Sequence, residues 1–146
     1  MMPVVEIDTW IDIAAPPEKV WHILSDFSSY SEWNPFFVDA LGQARPGREL
    51  ILYTRFSARF DPRPFTVIVR EADAPHRLHW GGRLGIAHLA DGRHGFDLTP
   101  LPDGTRMRHH SRHHGLAIPL VRPLMLRLKP RYHDLNEALR QRAEDH

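Results

Sequence analysis

The residues best suited to chemistry lie in one stretch near the C-terminus, Thr105–Gly115, which contains four histidines. The stretch is typical of a β-strand, in which successive side chains point to opposite faces of the sheet. One face would carry Met107, His109, Ser111 and His113. The other would carry three arginines and two histidines, and so many potential charges cannot share a dry core. We therefore predict that the first set faces the interior.

The outward face of the same strand is basic. Its members are Arg106, Arg108, His110, Arg112 and His114. An acidic partner or a phosphate surface could bind such a stripe, but Asp97 on the neighbouring strand can offset part of its charge. We interpret the stripe as a solvated face of the sheet.

Three interpretations of the inward histidines stay open, and His94 on the preceding strand joins the set if it also points inward. In the favoured one, they orient the polar end of an otherwise apolar ligand. In the second, His109, His113 or His94 is a general acid or base for an enolisation or dehydration, because imidazole titrates near neutral pH. In the third, they are structural side chains with satisfied hydrogen bonds.

The spacing of these histidines does not predict a metal site. His109 and His113 are four residues apart, which on a strand is about 13 Å, too far to share one ion. The chain has no cysteine, so the Cys/His spacings of structural zinc sites are absent and disulfide bonds are excluded. It also lacks a glycine-rich phosphate loop and a serine nucleophile elbow. We expect no metal and no cofactor.

The composition is that of one globular domain, residues 1–146. The formal net charge is +1 with histidines neutral, and this balance argues against a dedicated nucleic-acid binder. No apolar run approaches the roughly 18–20 residues of a membrane span, and the N-terminus lacks a signal-peptide pattern. We expect a soluble, cytoplasmic protein whose partner is a hydrophobic small molecule. The sequence does not set its oligomeric state.

Hydrophobic periodicity divides the chain into elements. Val4–Ile13 alternates as a half-buried strand, and Pro17–Ser25 has the apolar stripe of a helix that begins with proline. A second helical turn falls within Phe27–Phe37. Six further strands follow, at Phe37–Leu41, Glu49–Ser57, Phe65–Glu71, Arg77–Gly82, about His88–Pro100, and Thr105–Gly115. Consecutive strands with short connections imply an antiparallel sheet, and the helices at both ends of the order imply an α+β fold.

The chain ends in a predicted long helix, Pro119 to about Arg142, which would be about 36 Å long. Its apolar stripe consists of Val121, Leu124, Met125, Leu128, Tyr132, Leu135, Ala138 and Leu139. Its predicted solvated face consists of Arg122, Arg127, Asn136 and Arg140. Pro130 should kink this helix. The alternative is two pieces, Pro119–Lys129 and Arg131–Ala143.

Four phrases of the sequence carry a family resemblance. They are Ile11–Trp21, Phe27–Phe36, Leu78–Gly82, and Phe96–Pro100 before the turn at Asp103 and Gly104. With the order of elements, they resemble the START-like or SRPBCC superfamily, and within it the polyketide cyclase/dehydrase group. The resemblance implies a helix-grip fold: a curved seven-stranded antiparallel sheet wrapped around a long C-terminal helix, with two short helices after strand one. No catalytic motif is shared across the group, so it assigns no catalytic residue.

The resemblance also implies a cavity between the sheet and the C-terminal helix. Such pockets are lined mainly by apolar and aromatic groups with few polar ones. The candidate lining residues are Trp33, Phe36, Leu52, Phe56, Trp80, His94, Phe96, Leu98, Met107, His109, Ser111, His113, Met125 and Leu128. We predict that a lipid, polyketide or aromatic compound binds there. The alternative is a polyketide cyclase or dehydratase that uses a cavity histidine as its acid or base.

Overall fold

One antiparallel sheet of seven strands forms the framework of the protein. The computed structural model describes residues 3–83 and 91–145, without the side chain of residue 83. The strands are β1 (Val4–Ile13), β2 (Phe37–Gly42), β3 (Glu49–Thr54), β4 (Arg63–Asp73), β5 (Arg77–Arg83), β6 (Asp91–Leu101) and β7 (Gly104–His114). Their order across the sheet is β1-β7-β6-β5-β4-β3-β2, which confirms the predicted curved antiparallel sheet.

The register of the central strands decides which residues meet. His109 on β7 lies opposite Thr9 on β1 and opposite Phe96 on β6. One step along the same face, Ser111 lies opposite Ile7 and His94. Because side chains alternate along each strand, these residues share the inner face of the sheet.

Among the strands β1 to β5 and β7, the bounds of β3 and β4 differ from the predicted ones by two residues or more, and those of the others by at most one. β3 ends at Thr54 rather than Ser57, since Thr54 pairs with Arg63, the first residue of β4, and the ladder stops there. β4 is longer at both ends than the predicted Phe65–Glu71. Residues 88–90, where the prediction starts the strand that became β6, lie outside the described residues.

Two short helices follow β1, as predicted. They are α1 (Pro17–Ser25) and α2 (Tyr30–Trp33), with a 3₁₀ turn at Phe27–Ser29 between them. Asn34 ends α2: its Oδ1 accepts hydrogen bonds from the backbone N–H groups of Phe36 and Phe37 at 3.0 and 2.9 Å. This side chain therefore sets the turn that leads the chain into β2.

The predicted long C-terminal helix is present, but it does not run unbroken from Pro119: as in the two-piece alternative, a shorter helix precedes it, with bounds a few residues from those predicted. α3 (Ile118–Leu126) and α4 (Lys129–Asp145) are separated at Arg127 and Leu128. The N–H groups of these two residues bond to carbonyls three residues earlier, in the tighter 3₁₀ pattern that ends a helix. Pro130 then falls in the first turn of α4, where its missing N–H leaves no hydrogen bond unmade.

α4 packs against the inner face of the sheet. Its buried residues are Tyr132, Leu135, Asn136, Leu139 and Ala143, which belong with the main core except for the polar Asn136. A second, smaller cluster joins Val5 on β1 to Ile118 on α3, with Val121 and Met125 packed against it. None of the described helices is long and apolar enough to cross a membrane.

Candidate functional site

A chain of buried hydrogen bonds runs through the interior between the sheet and α4. Asn136 Oδ1 lies 2.8 Å from His109 Nδ1. The Nε2 atom of His109 lies 2.7 Å from Nε2 of His94. These contacts join α4, β7 and β6, and all three side chains are buried. The two predicted inward histidines are therefore bonded directly to each other.

The proton positions along these hydrogen bonds follow from Thr9, which Asn136 also contacts. The Thr9 hydroxyl donates to the backbone carbonyl of His109 at 2.7 Å, so its oxygen must accept from Asn136 Nδ2, 2.9 Å away. Asn136 then presents its carbonyl oxygen to His109 Nδ1, which must carry the proton. A neutral His109 accepts at Nε2, so His94 donates from its own Nε2. The Nδ1 atom of His94 is left as an acceptor.

The hydroxyl of Tyr132 lies next to that acceptor and also bonds the hydroxyl of Ser111. The Tyr132 hydroxyl is 3.4 Å from His94 Nδ1 and donates to Ser111 Oγ at 2.7 Å. Since Tyr132 has one hydroxyl proton and directs it to Ser111, His94 Nδ1 receives at most a weak hydrogen bond. The acceptor capacity of His94 is therefore largely unused.

Aromatic rings surround this polar chain. His94 stacks on Trp80 with centroids 5.3 Å apart, and His109 lies between Phe96 and Tyr132 with centroids 4.4 Å away on each side. The rings exclude water from both imidazoles. Burial lowers the pKa of His109 to about 3. Burial and the neighbouring His109 hold the pKa of His94 well below its usual range, so both imidazoles are neutral at neutral pH.

His113, the third inward histidine, lies apart from this chain. It pairs with Val5 and Gly92 across the sheet, and its ring occupies the space that a side chain at Gly92 would need: a Cβ there would be 2.0 Å from His113 Cδ2. Its Nδ1 is buried without a hydrogen-bond partner among the described residues. Burial lowers the pKa of His113 to about 4.

Most of the predicted lining residues lie inside the protein, although contact with a ligand stays a prediction. The buried ones are Phe36, Leu52, Trp80, His94, Phe96, Leu98, Met107, His109 and Ser111. Trp33 and Leu128 pack at the edge of the main core, Met125 packs on the smaller cluster and His113 is partly buried. The inward position predicted for Phe56 is wrong. It is 38% exposed, lies beyond the end of β3 and packs edge-on against Phe65.

Three functional candidates on the inner face were not predicted. Asn136 was assigned to the solvated face of the last helix, but it is 1% exposed and fixes the proton on His109. Tyr132 was assigned only to an apolar stripe, and Thr9 was not singled out within the strand Val4–Ile13. Asn136 lies four residues after Tyr132, so the two share one helix face. That spacing was the signal available in the sequence.

The outer face of the sheet holds a second group of titratable residues. Asp97 on β6 lies between two histidines: its Oδ1 is 2.7 Å from His79 Nε2, and its Oδ2 is 2.8 Å from His110 Nε2. Burial raises the pKa of Asp97, but the hydrogen bonds from His110 and His79 outweigh burial and hold it well below its usual range. Asp97 therefore offsets basic groups on this face, as predicted.

The comparison with protein families gives a match over nearly the whole chain. The model of the family described as polyketide cyclase / dehydrase and lipid transport matches residues 4–144. No curated protein sequence matches the chain.

Solved structures share the fold at low sequence identity. Protein MLL2253 from Mesorhizobium loti is 22% identical with a TM-score of 0.73, over 94% of this chain and 95% of that one. A START superfamily protein from Mycobacterium smegmatis is 23% identical with a TM-score of 0.72, over 96% and 97%. Norcoclaurine synthase from Thalictrum flavum, in complex with dopamine and hydroxybenzaldehyde, is 14% identical with a TM-score of 0.75, over 99% and 89%.

Proposed function

Because the chain belongs to the polyketide cyclase/dehydrase and lipid transport family, we propose that it binds a hydrophobic small molecule between the sheet and the C-terminal helices. The observation that carries the proposal is the acceptor on His94 Nδ1, whose one contact among the described residues is the long 3.4 Å approach of the Tyr132 hydroxyl, a group that also bonds Ser111. A ligand hydroxyl would donate to His94 Nδ1 and satisfy it. The apolar body of the ligand would lie against the surrounding rings.

The electrostatics of the inner face favour a neutral ligand. The buried polar side chains of the described residues are Thr, Ser, Asn and His, with no lysine, arginine or carboxylate among them. The inward imidazoles have lowered pKa values and carry no charge at neutral pH. A carboxylate bound there would have no cationic partner in a dry interior. Burying an unpaired ion costs on the order of several kcal/mol. We therefore favour a phenol, an enol or another hydroxyl compound over a fatty acid anion.

The aromatic lining suggests that the ligand is itself aromatic. Trp80, Phe96 and Tyr132 pack as rings around His94 and His109, and aromatic surroundings of this kind favour another ring. Norcoclaurine synthase, which has the same fold, holds dopamine and hydroxybenzaldehyde, two phenolic compounds. A phenolic or polyketide-like ring is the ligand class that these features support best.

The test compares two probes of one shape, 1-naphthol and 1-naphthoate, by isothermal titration calorimetry at pH 7.5. We expect 1-naphthol to bind at least ten times more tightly than 1-naphthoate. The variant His94→Phe removes the proposed acceptor and should weaken 1-naphthol at least fivefold. His114→Ala, on the outer face of β7, is the matched control. Equal binding of the two probes, no binding of either, or an unchanged affinity in His94→Phe would overturn the proposal.

A second function, acid–base catalysis as in a cyclase or dehydratase, is favoured by one observation. His94 Nδ1 is a potential base, and the Tyr132 hydroxyl 3.4 Å away is a potential acid. The lowered pKa of His94 opposes this role, because a general base works best with a pKa near the working pH. The test is deuterium uptake from D₂O at the α-carbon of 1-tetralone, followed by NMR. Uptake that His94→Phe abolishes would favour the enzyme, whereas uptake no faster than in buffer would reject it.

A further inference from the structure

A histidine–glycine–histidine row crosses three neighbouring strands on the outer face of the sheet. His79 on β5 pairs with Gly95 on β6, and Gly95 pairs with His110 on β7. Asp97 is the next residue of β6 on the same face. The two imidazoles thus stand on either side of a position without a side chain, with a carboxylate beside them.

Gly95 provides the space between the two rings. A Cβ at position 95 would lie 2.6 Å from His79 Cδ2 and 3.0 Å from His110 Cε1. Any other residue would therefore force the rings apart. One ring nitrogen of each histidine and a carboxylate oxygen of Asp97 all lie within 4.8 Å of one another.

We propose that His79, His110 and Asp97 form a binding site for one divalent transition-metal ion of the zinc class on the outer face of the sheet. Two imidazoles and one carboxylate are a ligand set that such ions favour, with remaining positions open to water or another ligand. Ligand atoms around a tetrahedral zinc ion, each about 2.1 Å from it, are roughly 3.4 Å apart. The observed contacts of 2.7 and 2.8 Å to Asp97 would each open by roughly 0.6–0.7 Å to admit the ion.

The site can be reached from solvent. A groove of about 1060 Å³ lies over this face, and His79, His110 and Arg93 are among its lining residues. Asp97 is partly exposed. An ion would enter from the groove, and its open coordination positions would face the groove.

Metal binding requires the Nε2 protons of both His79 and His110 to move, because each ring donates from Nε2 to Asp97. The proton of His110 would shift to its Nδ1 or pass to solvent. Arg93 Nε donates to His79 Nδ1 at 3.2 Å, so the proton of the neutral ring is on Nε2 and is donated to Asp97 Oδ1. An ion at Nε2 shifts that proton to Nδ1, where Glu71 Oε1, 3.9 Å away, can accept it once Arg93 has turned aside. Arg93 therefore competes with the ion, through its N–H and through its positive charge.

The test is titration of the full chain with zinc chloride by isothermal titration calorimetry at pH 7.5. The chain has 11 histidines, so stoichiometry alone does not identify the site. We expect one tight ion per chain in the native protein. His79→Ala, His110→Ala and Asp97→Asn should each weaken it at least tenfold, whereas His133→Ala, on the exposed face of α4, should not.

Two further variants test the geometry rather than the ligands. Gly95→Ala keeps all three ligand side chains but fills the space between the rings, and it should weaken zinc binding at least tenfold. Arg93→Gln removes the competing cation, and it should tighten binding severalfold. Circular dichroism establishes whether each variant is folded. If an alanine variant is unfolded, Asp97→Asn, which keeps the side-chain shape, decides the question. No tight ion in the native protein, or an affinity unchanged in Asp97→Asn and Gly95→Ala, would overturn the proposal.

Discussion

The Nε2 atoms of His94 and His109 lie 2.7 Å apart in the interior, and only one of them can carry the bridging proton. Asn136 decides which, because its carbonyl oxygen faces His109 Nδ1 and holds a proton there. Asn136 on α4 thus sets, through His109, which nitrogen of His94 on β6 carries the proton. The single acceptor that this order leaves on His94 is the basis of the proposed ligand preference.

Asn136→Leu should destabilise the fold by about 2–4 kcal/mol, because it leaves the Nδ1–H of His109 buried without an acceptor and removes the hydrogen bond that the Thr9 oxygen accepts. Urea denaturation followed by circular dichroism gives the free energy of unfolding. His133→Ala, an exposed change on the same helix, should alter it by less than about 0.5 kcal/mol. A loss below about 1 kcal/mol in Asn136→Leu would mean that the chain of hydrogen bonds contributes little.

Stability should fall as the pH decreases from about 6.5 towards 4. The folded pKa is about 3 for His109 and about 4 for His113, and that of His94 is also lowered, against an ordinary value of 6.5. In this window the unfolded chain binds protons that the folded chain excludes. Each such histidine therefore contributes up to about 1.4 kcal/mol of lost stability per pH unit.

Urea midpoints measured between pH 8 and pH 5 test this dependence. His109→Phe, which removes one of the three excluded sites, should give a shallower fall than the native protein. A midpoint that stays constant from pH 7.5 to pH 5.5 would show that the inward histidines bind protons as readily in the folded chain as in the unfolded chain.

Phe96→Ala and Phe56→Ala should differ sharply, although both residues were predicted to face inward. Phe96 is 1% exposed and stacks on His109, so its truncation should lower the free energy of unfolding by about 3–5 kcal/mol. Phe56 loses only a surface contact with Phe65, and its truncation should lower it by less than about 1 kcal/mol. Chemical denaturation measures both, and equal losses would contradict this assignment of faces.

Gly92→Ala should destabilise the fold by at least about 1 kcal/mol, because the new methyl group would overlap the ring of His113. His113→Ala removes that ring. In a double-mutant cycle, the cost of Gly92→Ala should therefore fall by about 1 kcal/mol or more when His113 is already alanine. Additive effects of the two substitutions would place the His113 ring elsewhere.

Pro130→Ala should leave stability within about 1 kcal/mol of the native value, because Pro130 lies in the first turn of α4 and interrupts no hydrogen bond. Ala138→Pro, in the middle of the same helix, should lower it by about 3 kcal/mol or more. Thermal unfolding followed by circular dichroism compares the two. A large gain from Pro130→Ala would indicate a strained kink rather than a helix start.

The fold could be predicted from the sequence because its signals are local. Alternation in β1 and β7 gives their inward faces, and proline at position 17 marks the start of α1. The break before α4 was harder to place. The apolar spacing of a helix continues across Leu128, whereas the helical backbone is interrupted there. Asn136 was misassigned because the prediction treated every polar residue of the helix as solvated, and only its partners on β1 and β7 show otherwise.

The polar group on the inner face of the sheet and the one on the outer face differ in how much of each could be predicted from the sequence alone. The inward position of His94 and His109 follows from alternation within single strands. The meeting of His79, Asp97 and His110 depends on the pairing of three strands, and a shift of one residue would separate them. Register is a tertiary property, so no spacing within one strand could predict the outer group.

The most direct test of the central claim is the ¹⁵N NMR spectrum of the histidine side chains at pH 7.5, before and after addition of 1-naphthol. The structure predicts a neutral His109 protonated at Nδ1 and a neutral His94 protonated at Nε2. It also predicts that 1-naphthol shifts the Nδ1 resonance of His94 as that atom accepts a hydrogen bond. An imidazolium signal from either residue, a His94 protonated at Nδ1, or a His94 Nδ1 resonance unmoved by bound 1-naphthol would contradict the account.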